Sequence, residues 1–293
     1  MREHRNLWYR AFGDTEEYID YFFDRKAPRS CCVENWEDGQ LCTMAFFIPY
    51  EAVLYGSIVT LPYIVGVATE EKFRRQGRMK KMLCEGMDIQ KKEGKPLVFL
   101  SPADPAIYEP LGFQPVYWRE TFHLAGPGQK AGPETASCNV YKWDELDQTQ
   151  KEKISALAEK VLNREQFDLR LVHSVSYYEE VHTELRSLNG ALLTFWREGE
   201  PVAVAHWICE DGKHEVTEWI GEKKERETAL QTLLWYVQGE VDIEDTYFLQ
   251  GVKLTETDFV NIQCKKQKHP YLMVRMLDES VPVPERCYIN DIT

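Results

Sequence analysis

The chain opens with two amphipathic patterns at helical spacing, between residues 4 and 26. Gly13 and Asp14 separate them, and this pair predicts the end of one helix and the N-cap of the next, with Glu17 completing a capping box. The aromatic residues of the two patterns include Trp8, Phe12 and Phe23. Aromatic residues at helical spacing are typical of a core face, although they can also line a pocket for an amine.

Strand patterns follow and enclose one long helix. An alternating pattern over residues 30–50, interrupted at Asp38-Gly39, predicts a β-hairpin. A strand is expected over residues 56–69, where Pro62 predicts an edge position, a break or a bulge because proline donates no ladder hydrogen bond. The remaining predicted elements of this half are a helix at 76–92, a buried strand at 97–100, a brief helix containing Tyr108 and a strand at 115–124.

The second half repeats this order of helices and strands after a Gly- and Pro-rich stretch. We therefore predict domains at residues 1–125 and 141–293, joined by a linker at 126–140. In the second domain the predicted helices cover 148–162, 177–188 and 225–237, and the predicted strands cover 191–197, 201–209, 215–220, 246–249 and 271–277. This order indicates a mixed α/β fold, with a mixed sheet flanked by helices in each domain, and it differs from the order of doubly wound nucleotide-binding folds.

Composition indicates a folded protein with an acidic surface. Hydrophobic residues make up 43% of the 293 residues and the formal net charge is −13, so ample core material is present and nucleic-acid binding is not expected. An acidic chain fits a cationic substrate such as an amine, and it equally fits a protein that its net charge keeps dispersed. No stretch reaches the roughly 18 apolar residues of a membrane span and no signal-peptide pattern is present, so we expect a cytoplasmic protein without membrane contact.

The cysteines and histidines show no spacing typical of a metal site, and no metal is expected. Reduced, mostly buried thiols are expected at Cys31, Cys32, Cys42, Cys84, Cys138, Cys209, Cys264 and Cys287. Structural roles are expected for His123, His173, His206 and His214.

Against the acidic background, cations cluster at one turn between a predicted strand and the long helix. The turn consists of Arg74, Arg75, Gln76, Gly77, Arg78, Met79 and Lys80. Cations at the start of a helix oppose the helix dipole, so the arrangement is unfavourable unless an anion binds there. Free backbone N–H groups at a helix start add to the positive potential. The turn is therefore predicted to bind phosphate.

This turn resembles the signature of the GNAT superfamily of acyl-CoA-dependent N-acyltransferases. The signature reads Gln/Arg-x-x-Gly-x-Gly/Ala; Arg74 and Gly77 match it, and Met79 departs from it at the last position. A larger apolar residue there is similar to the branch of the enhanced-intracellular-survival acetyltransferases. The segment from Ile107 to Phe113 resembles the Tyr-x-x-x-Gly-Phe segment of the family. The resemblance covers about the first 125 residues and implies tandem GNAT-like domains. The second domain is expected to be degenerate and without a CoA site, because its turn from Gly221 to Glu225 carries mixed charge. Members of this branch commonly continue into a third, sterol-carrier-like domain, which is not expected in this chain.

The resemblance also implies which residues hold acetyl-CoA. The turn from Arg74 to Lys80 would bind the pyrophosphate, and a bulge in the preceding strand would expose the backbone of Val67, Ala68 and Thr69 to the pantetheine arm. Tyr108 stands where the family has its tyrosine acid, and it would protonate the departing thiolate or pack its ring over the pantetheine.

The predicted function is transfer of an acetyl group from acetyl-CoA to a primary amine of a small-molecule or lysine-bearing acceptor. The proton acceptor stays open between water, Asp20 and Glu70. The resemblance is compatible with a homo-oligomer. The alternative from a different class is a noncatalytic module that binds acyl-CoA or a protein partner.

Overall fold

Helices begin the chain, and one of their caps differs from the prediction. The computed structural model describes residues 1–125, 138–244 and 261–290. The opening elements are α1 (Arg2–Phe12), α2 (Glu16–Tyr21), a π turn (Phe22–Lys26) and a 3-10 turn (Ala27–Arg29). The predicted N-cap at Asp14 is wrong: Thr15 caps α2 by accepting a hydrogen bond from the Tyr18 N–H at 3.3 Å. Asp14 instead accepts a hydrogen bond from Trp8 Nε1 at 2.6 Å, so the indole competes for the carboxylate that a capping box needs.

The other elements of the first half follow the predicted order. They are β1 (Cys31–Glu37), β2 (Gln40–Leu54), β3 (Ser57–Thr69), α3 (Arg78–Lys92), β4 (Leu97–Leu100), α4 (Pro105–Tyr108) and β5 (Gln114–Ala125). The predicted hairpin turn is confirmed, because Asp38 and Gly39 both have positive φ angles, of 50° and 75°. This geometry matches the right-handed twist of the two strands it connects.

The second half contains the predicted long helices and strands together with short strands that the pattern did not indicate. Its elements are β6 (Asn139–Lys142), α5 (Gln148–Arg164), β7 (Leu169–Leu171), α6 (Val175–Ser187), β8 (Ala191–Arg197), β9 (Glu200–Glu210), β10 (Lys213–Gly221), α7 (Arg226–Val237), β11 (Glu240–Glu244), β12 (Asn261–Met276) and β13 (Cys287–Tyr288). The strands not predicted, β6, β7, β11 and β13, have five residues or fewer. The strand predicted at 246–249, and residues 126–137 of the predicted linker, lie outside the described residues.

Thirteen strands of the described residues join into one mixed sheet. Their order is β13-β7-β2-β3-β4-β12-β5-β11-β10-β9-β8-β6, with β1 paired to β2 beside this path. The strand β12 of the second half inserts between β4 and β5 and pairs antiparallel with both. The strand β5 in turn pairs with β11 of the second half. Each half therefore completes the sheet of the other, and the division at residues 1–125 and 141–293 stays a prediction.

Hydrophobic cores lie on both faces of the first-half sheet. On one face, α3 packs on the sheet so closely that a Cβ at Gly86 would lie 2.4 Å from the Phe47 ring. On the other face, α1 and α2 bury Trp8 and Phe23, which are 3% and 4% exposed, so these two rings belong to the core. Phe12 is 45% exposed. None of the helices within the described ranges is long and apolar enough to cross a membrane.

The described cysteines are free thiols, and they are less buried than predicted. Cys42, Cys138 and Cys287 are buried, Cys31, Cys32 and Cys209 are half-buried, and Cys84 is exposed. The side chain of Cys264 lies outside the described residues.

Candidate active site

The strand β3 leaves its parallel neighbour part-way along its length. It pairs with β4 at a single position, Tyr63 opposite Phe99. Among the described residues, no β4 partner faces residues 64–69, although β3 continues to Thr69. The backbone N–H and C=O groups on that side are therefore available to an extended ligand that binds as an additional strand.

A bulge accompanies this divergence. In the β2–β3 ladder, Met44 lies opposite Ala68 and Phe46 opposite Val65, so the single residue Ala45 faces both Gly66 and Val67. Gly66 adopts φ 64°, and a Cβ there would lie 2.3 Å from the Trp8 ring. Both observations explain why glycine occupies the bulge, since the left-handed conformation and the close approach each disfavour a side chain.

The bulge does not lie at Pro62. Pro62 keeps the regular register opposite Pro49, and β3 is an interior strand because it pairs with β2 on one side and β4 on the other. The expectation of an edge, break or bulge at this proline is therefore wrong, and the bulge lies at Gly66 and Val67 instead. The strand tolerates the missing N–H of Pro62 because its β4 neighbour pairs with it only at Tyr63.

The turn after β3 presents an uncapped helix start. A 3-10 turn (Glu71–Phe73) leads to Arg75, which has φ 60°, and then to Gly77, the N-cap of α3, with φ 73°. The N-cap makes no side-chain hydrogen bond, and the first turn of α3 has no acidic residue. A left-handed residue with a side chain costs on the order of 1 kcal/mol, so the turn holds Arg75 in a conformation of raised energy.

Three side chains of the turn hold its shape. Hydrogen bonds run from Arg74 Nε to the Thr69 carbonyl (3.1 Å), from Gln76 Nε2 to the Lys72 carbonyl (3.0 Å) and from Arg78 Nε to Gln76 Oε1 (3.0 Å). Arg78 also forms an ion pair with Glu37 of the β1–β2 hairpin. These bonds position the backbone, and they engage two of the cations that the sequence assigned to phosphate.

Two cations of the turn form no ion pair with the described residues. Arg75 and Lys80 are exposed, and within residues 1–125, 138–244 and 261–290 neither has an ion-pair partner. Both stand beside the free N–H groups at the start of α3, where the helix dipole also attracts negative charge. The arrangement suits a phosphate or pyrophosphate group.

Tyr108 lies at the end of α4 and close to the other candidate residues. Its side chain is 8% exposed, and its ring contacts Phe113 edge to face at a centroid distance of 5.9 Å. Burial raises the pKa of the Tyr108 phenol, which therefore stays protonated at neutral pH. Val67 and Met79 pack against the hydrophobic cluster that contains Tyr108. The structure thus brings the bulged strand, the helix start and the phenol around one small core.

Sequence reasoning missed a contribution from the second half. Arg275 on β12 donates from Nη1 to the carbonyl of Leu111 at 2.9 Å. Gly112, with φ 79°, leaves room for this guanidinium, because a Cβ there would lie 1.5 Å from Nη1. Gly112 belongs to the quoted motif, but no local signal connects it with a strand more than 160 residues later.

The carboxylates proposed as proton acceptors are already engaged. Asp20 forms an ion pair with Arg5, and Glu70 forms one with Arg10. Glu70 also accepts a hydrogen bond from the N–H of Glu71 at 3.2 Å. Both carboxylates are thus held by arginines of α1.

The four histidines named from the sequence contact protein groups. His173 and His206 lie against the buried carboxylate of Glu218, at 3.3 and 3.0 Å. His123 Nδ1 lies 2.7 Å from Asp242, and the ring of His214 stacks on Trp207 at 5.7 Å between centroids.

Comparison with known families supports the assignment of the first half. Residues 1–116 match the family described as "Acetyltransferase (GNAT) domain". The first 116 residues are therefore similar to GNAT acetyltransferase domains. The resemblance drawn from Arg74, Gly77 and the Ile107–Phe113 segment is confirmed by this match. No curated protein matches the chain.

Solved structures share the fold over nearly the whole chain. A protein of unknown function from Enterococcus faecalis V583, titled a probable N-acyltransferase, has a TM-score of 0.68 at 14% identity, covering 94% of this chain and 70% of its own. Eis1 from Mycobacterium abscessus has a TM-score of 0.61 at 10% identity, covering 94% and 71%. Saccharomyces cerevisiae N-myristoyltransferase with bound myristoyl-CoA has a TM-score of 0.56 at 12% identity, covering 93% and 78%. At these identities the likeness concerns the fold, and it confirms the predicted mixed α/β class.

Proposed function

We propose that this protein is an N-acetyltransferase that moves the acetyl group of acetyl-CoA to a primary amine of a small-molecule or lysine-bearing acceptor. The GNAT domain supports acyl transfer in general. The observation that carries the proposal is the length of β3 from residue 64 to Thr69 that has no partner on its β4 side among the described residues, beside the uncapped cationic start of α3. A location in the cytoplasm and a possible homo-oligomer are parts of the same proposal.

The donor would lie along these two features. The pyrophosphate would accept hydrogen bonds from the first N–H groups of α3 and pair with Arg75 and Lys80. The pantetheine arm would bind the backbone of Val67, Ala68 and Thr69 as an additional strand. The bound myristoyl-CoA of the yeast neighbour supports a site for acyl-CoA in this fold.

The reaction forms one C–N bond and breaks one C–S bond. The neutral amine attacks the thioester carbonyl, and backbone N–H groups near Val67 stabilise the negative oxygen that develops. The C–S bond then breaks, and Tyr108 gives its proton to the departing thiolate. The attacking nitrogen loses a proton to water in this scheme. Solvent returns a proton to the phenolate.

Calorimetric titration with acetyl-CoA and with free CoA tests the donor site. The wild type should bind both ligands saturably, and Arg75→Glu should weaken binding by more than about tenfold, because a charge-assisted contact becomes a repulsion. Lys224→Glu is a matched control, since Lys224 is an exposed cation at the corresponding turn of the second half. Folded wild-type protein that binds neither ligand would refute the proposal.

The role of Tyr108 separates an enzyme from a noncatalytic acyl-CoA-binding module. Asp20 and Glu70, the two carboxylates considered as bases, are both held in ion pairs, and this favours the module. Tyr108→Phe keeps the ring and removes the proton donor. A fall in turnover with unchanged CoA affinity supports catalysis, and acetyl-CoA binding without transfer to any amine in a panel of polyamines, aminoglycosides and lysine peptides supports the module.

A further inference from the structure

A nitrogen, a sulfur and an oxygen ligand converge outside the candidate active site. They belong to His4 on α1 and to Cys32 and Glu34 on β1. One ligand atom from each residue lies within 4.8 Å of the other two. His4 Nε2 contacts Glu34 Oε2 directly. Three potential metal ligands of different chemical types thus lie close together.

Secondary structure explains the convergence. Successive side chains of a strand point to opposite faces, so Cys32 and Glu34 share one face of β1 and Cys31 takes the other. The packing follows this alternation: Cys32 packs against the cluster beneath α1 and α2, whereas Cys31 packs against the cluster beneath α3. His4 joins Cys32 and Glu34 because it lies on the buried face of α1, one turn before Trp8.

Protein hydrogen bonds satisfy only one nitrogen of the His4 ring. The residue is only 6% exposed, and its Nδ1 is buried with no hydrogen-bond partner among the described residues. Leaving a buried polar atom without a partner costs on the order of 1–3 kcal/mol. The Glu34 side chain is 38% exposed, so one member of the cluster reaches solvent.

We propose that His4, Cys32 and Glu34 bind a divalent transition-metal ion of the zinc class. Imidazole and thiolate ligands favour zinc or cobalt over magnesium or calcium, which prefer sets made only of oxygen. Three protein ligands leave one position of a tetrahedral ion for water. Binding replaces the thiol proton of Cys32, which leaves to solvent as the S–metal bond forms.

The ion would fasten the first helix to the first strand. The same helix carries Trp8, which packs over Gly66, and Arg10, which pairs with Glu70 after β3. The position of α1 therefore affects the bulged strand. Sequence spacing gives no sign of the site because Cys32 follows His4 by 28 positions and only tertiary packing joins them.

Cobalt titration tests the site, using untagged full-length protein freed of metal by a chelator. One Co²⁺ per chain should bind and produce visible d–d bands and a near-ultraviolet thiolate charge-transfer band, and Zn²⁺ should displace it. Cys32→Ser should abolish the charge-transfer band. Cys31→Ser is the matched control, since its thiol adjoins the site in sequence but faces the other core.

Two further variants keep the test decisive if Cys32→Ser fails to fold. His4→Gln should weaken Co²⁺ binding by more than about tenfold. Glu34→Gln, at a partly exposed position, should weaken binding while keeping the charge-transfer band. Zn²⁺ should also raise the Tm of the wild type and of Cys31→Ser, but not that of His4→Gln. No stoichiometric Co²⁺ binding by the wild type, or a charge-transfer band that only Cys31→Ser removes, would overturn the proposal.

Discussion

The two halves of the chain share a scaffold and differ in the charges placed on it. Each half has a bulged strand that runs beyond its parallel neighbour and leads through a 3-10 turn into a helix. In the first half this strand is β3, paired with β4 at one position. In the second it is β10, which pairs with β11 at three positions, has a bulge between Val216 and Glu218, and continues to Gly221. A bulged strand that runs beyond its parallel neighbour is therefore present in both halves.

The ion pairs around the turn also correspond. The residue after each strand is a glutamate bound by the helix packed behind it: Glu70 pairs with Arg10 of α1, and Glu222 pairs with Lys160 and Arg164 of α5 at 2.7 and 2.8 Å. A second pair joins each hairpin to the turn. It runs from Glu37 to Arg78 in the first half and, with the charges exchanged, from Arg197 to Glu225 in the second.

The starts of α3 and α7 differ in the charged side chains near them. The first turn of α3 has no acid, whereas Glu227 lies in the first turn of α7 and Lys223 pairs with Glu165 at 3.2 Å. A cleft of about 660 Å³ adjoins this second turn, and acids and cations line it together. The second half therefore supplies its own anions where the first half leaves cations free. The comparison teaches that the scaffold alone does not make a phosphate site.

The largest effect on stability is expected for Glu218, a charged residue buried at the bulge of β10. Glu218 is 1% exposed between His206 and His173. Burial alone would raise the pKa of the Glu218 carboxyl, but the two imidazoles hold it well below its ordinary value. Glu218→Gln should lower the free energy of unfolding by about 3 kcal/mol at pH 7, because it breaks a buried charged cluster. Urea denaturation measures this change.

The lowered pKa of Glu218 determines how its contribution to stability changes with pH. A depressed carboxyl pKa adds stability above the unfolded-state value near 4.5, and that stability is lost as pH falls toward the folded-state value. The difference in free energy of unfolding between the wild type and Glu218→Gln should therefore decrease below about pH 4.5. Glu215 on the same strand is the control: burial, followed by the charge of Glu244, raises its pKa, so Glu215→Gln should not lose stability at pH 7. A pH-independent difference for Glu218→Gln would contradict the assignment.

The second prediction concerns the two ends of α3. Gly77 and Gly94 flank the helix with φ 73° and 77°, and a Cβ at either would meet no atom within 4 Å. Changing either one to Ala should cost about 1 kcal/mol of stability, since only the backbone strain differs from glycine. Only Gly77→Ala should also weaken acetyl-CoA binding, by about tenfold, because it shifts the N–H groups of the phosphate turn. Calorimetry on both variants measures this difference, and equal affinities would exclude the turn as the phosphate site.

Local sequence signals predicted the elements that local chemistry specifies. The Asp38-Gly39 hairpin, the long helix α3 and the strand β4 follow from turn propensity and periodicity within short windows. The cationic turn was also visible, because its unfavourable charge against the helix dipole needs no tertiary information. Its geometry, with Gly77 at the N-cap, agrees with that signal.

The missed features depend on contacts distant in sequence. Asp14 is not the cap because the Trp8 indole binds it, and Pro62 stays in register because β4 diverges beside it. The insertion of β12 between β4 and β5 has no local signal, since an antiparallel partner can come from any part of the chain. The His4 cluster combines a helix face with a strand face, and spacing rules do not cover such a combination.

A third prediction tests the strand that the second half gives to the first. Arg275→Met removes the hydrogen bond to the Leu111 carbonyl and loosens the segment that carries Tyr108. The expected result is a severalfold lower kcat with little change in KM for acetyl-CoA, corresponding to about 1 kcal/mol for one lost hydrogen bond. Arg275→Lys, which keeps a donor, should recover part of the rate. An equal loss in both variants would show that the strand acts through packing alone.

The smallest effect should come from releasing the cations of the second half. Glu222→Gln frees Lys160 and Arg164 beside the start of α7, and the loss of stability should stay under about 1 kcal/mol because both cations are largely exposed. If acidic side chains alone prevent the second turn from binding an anion, sulfate should raise the Tm of this variant more than that of the wild type at equal ionic strength. Glu179→Gln, which releases the single cation Lys151 elsewhere, is the control. A sulfate effect equal to that of the wild type would place the difference between the halves in the backbone, at the left-handed Gly77 that the second turn lacks.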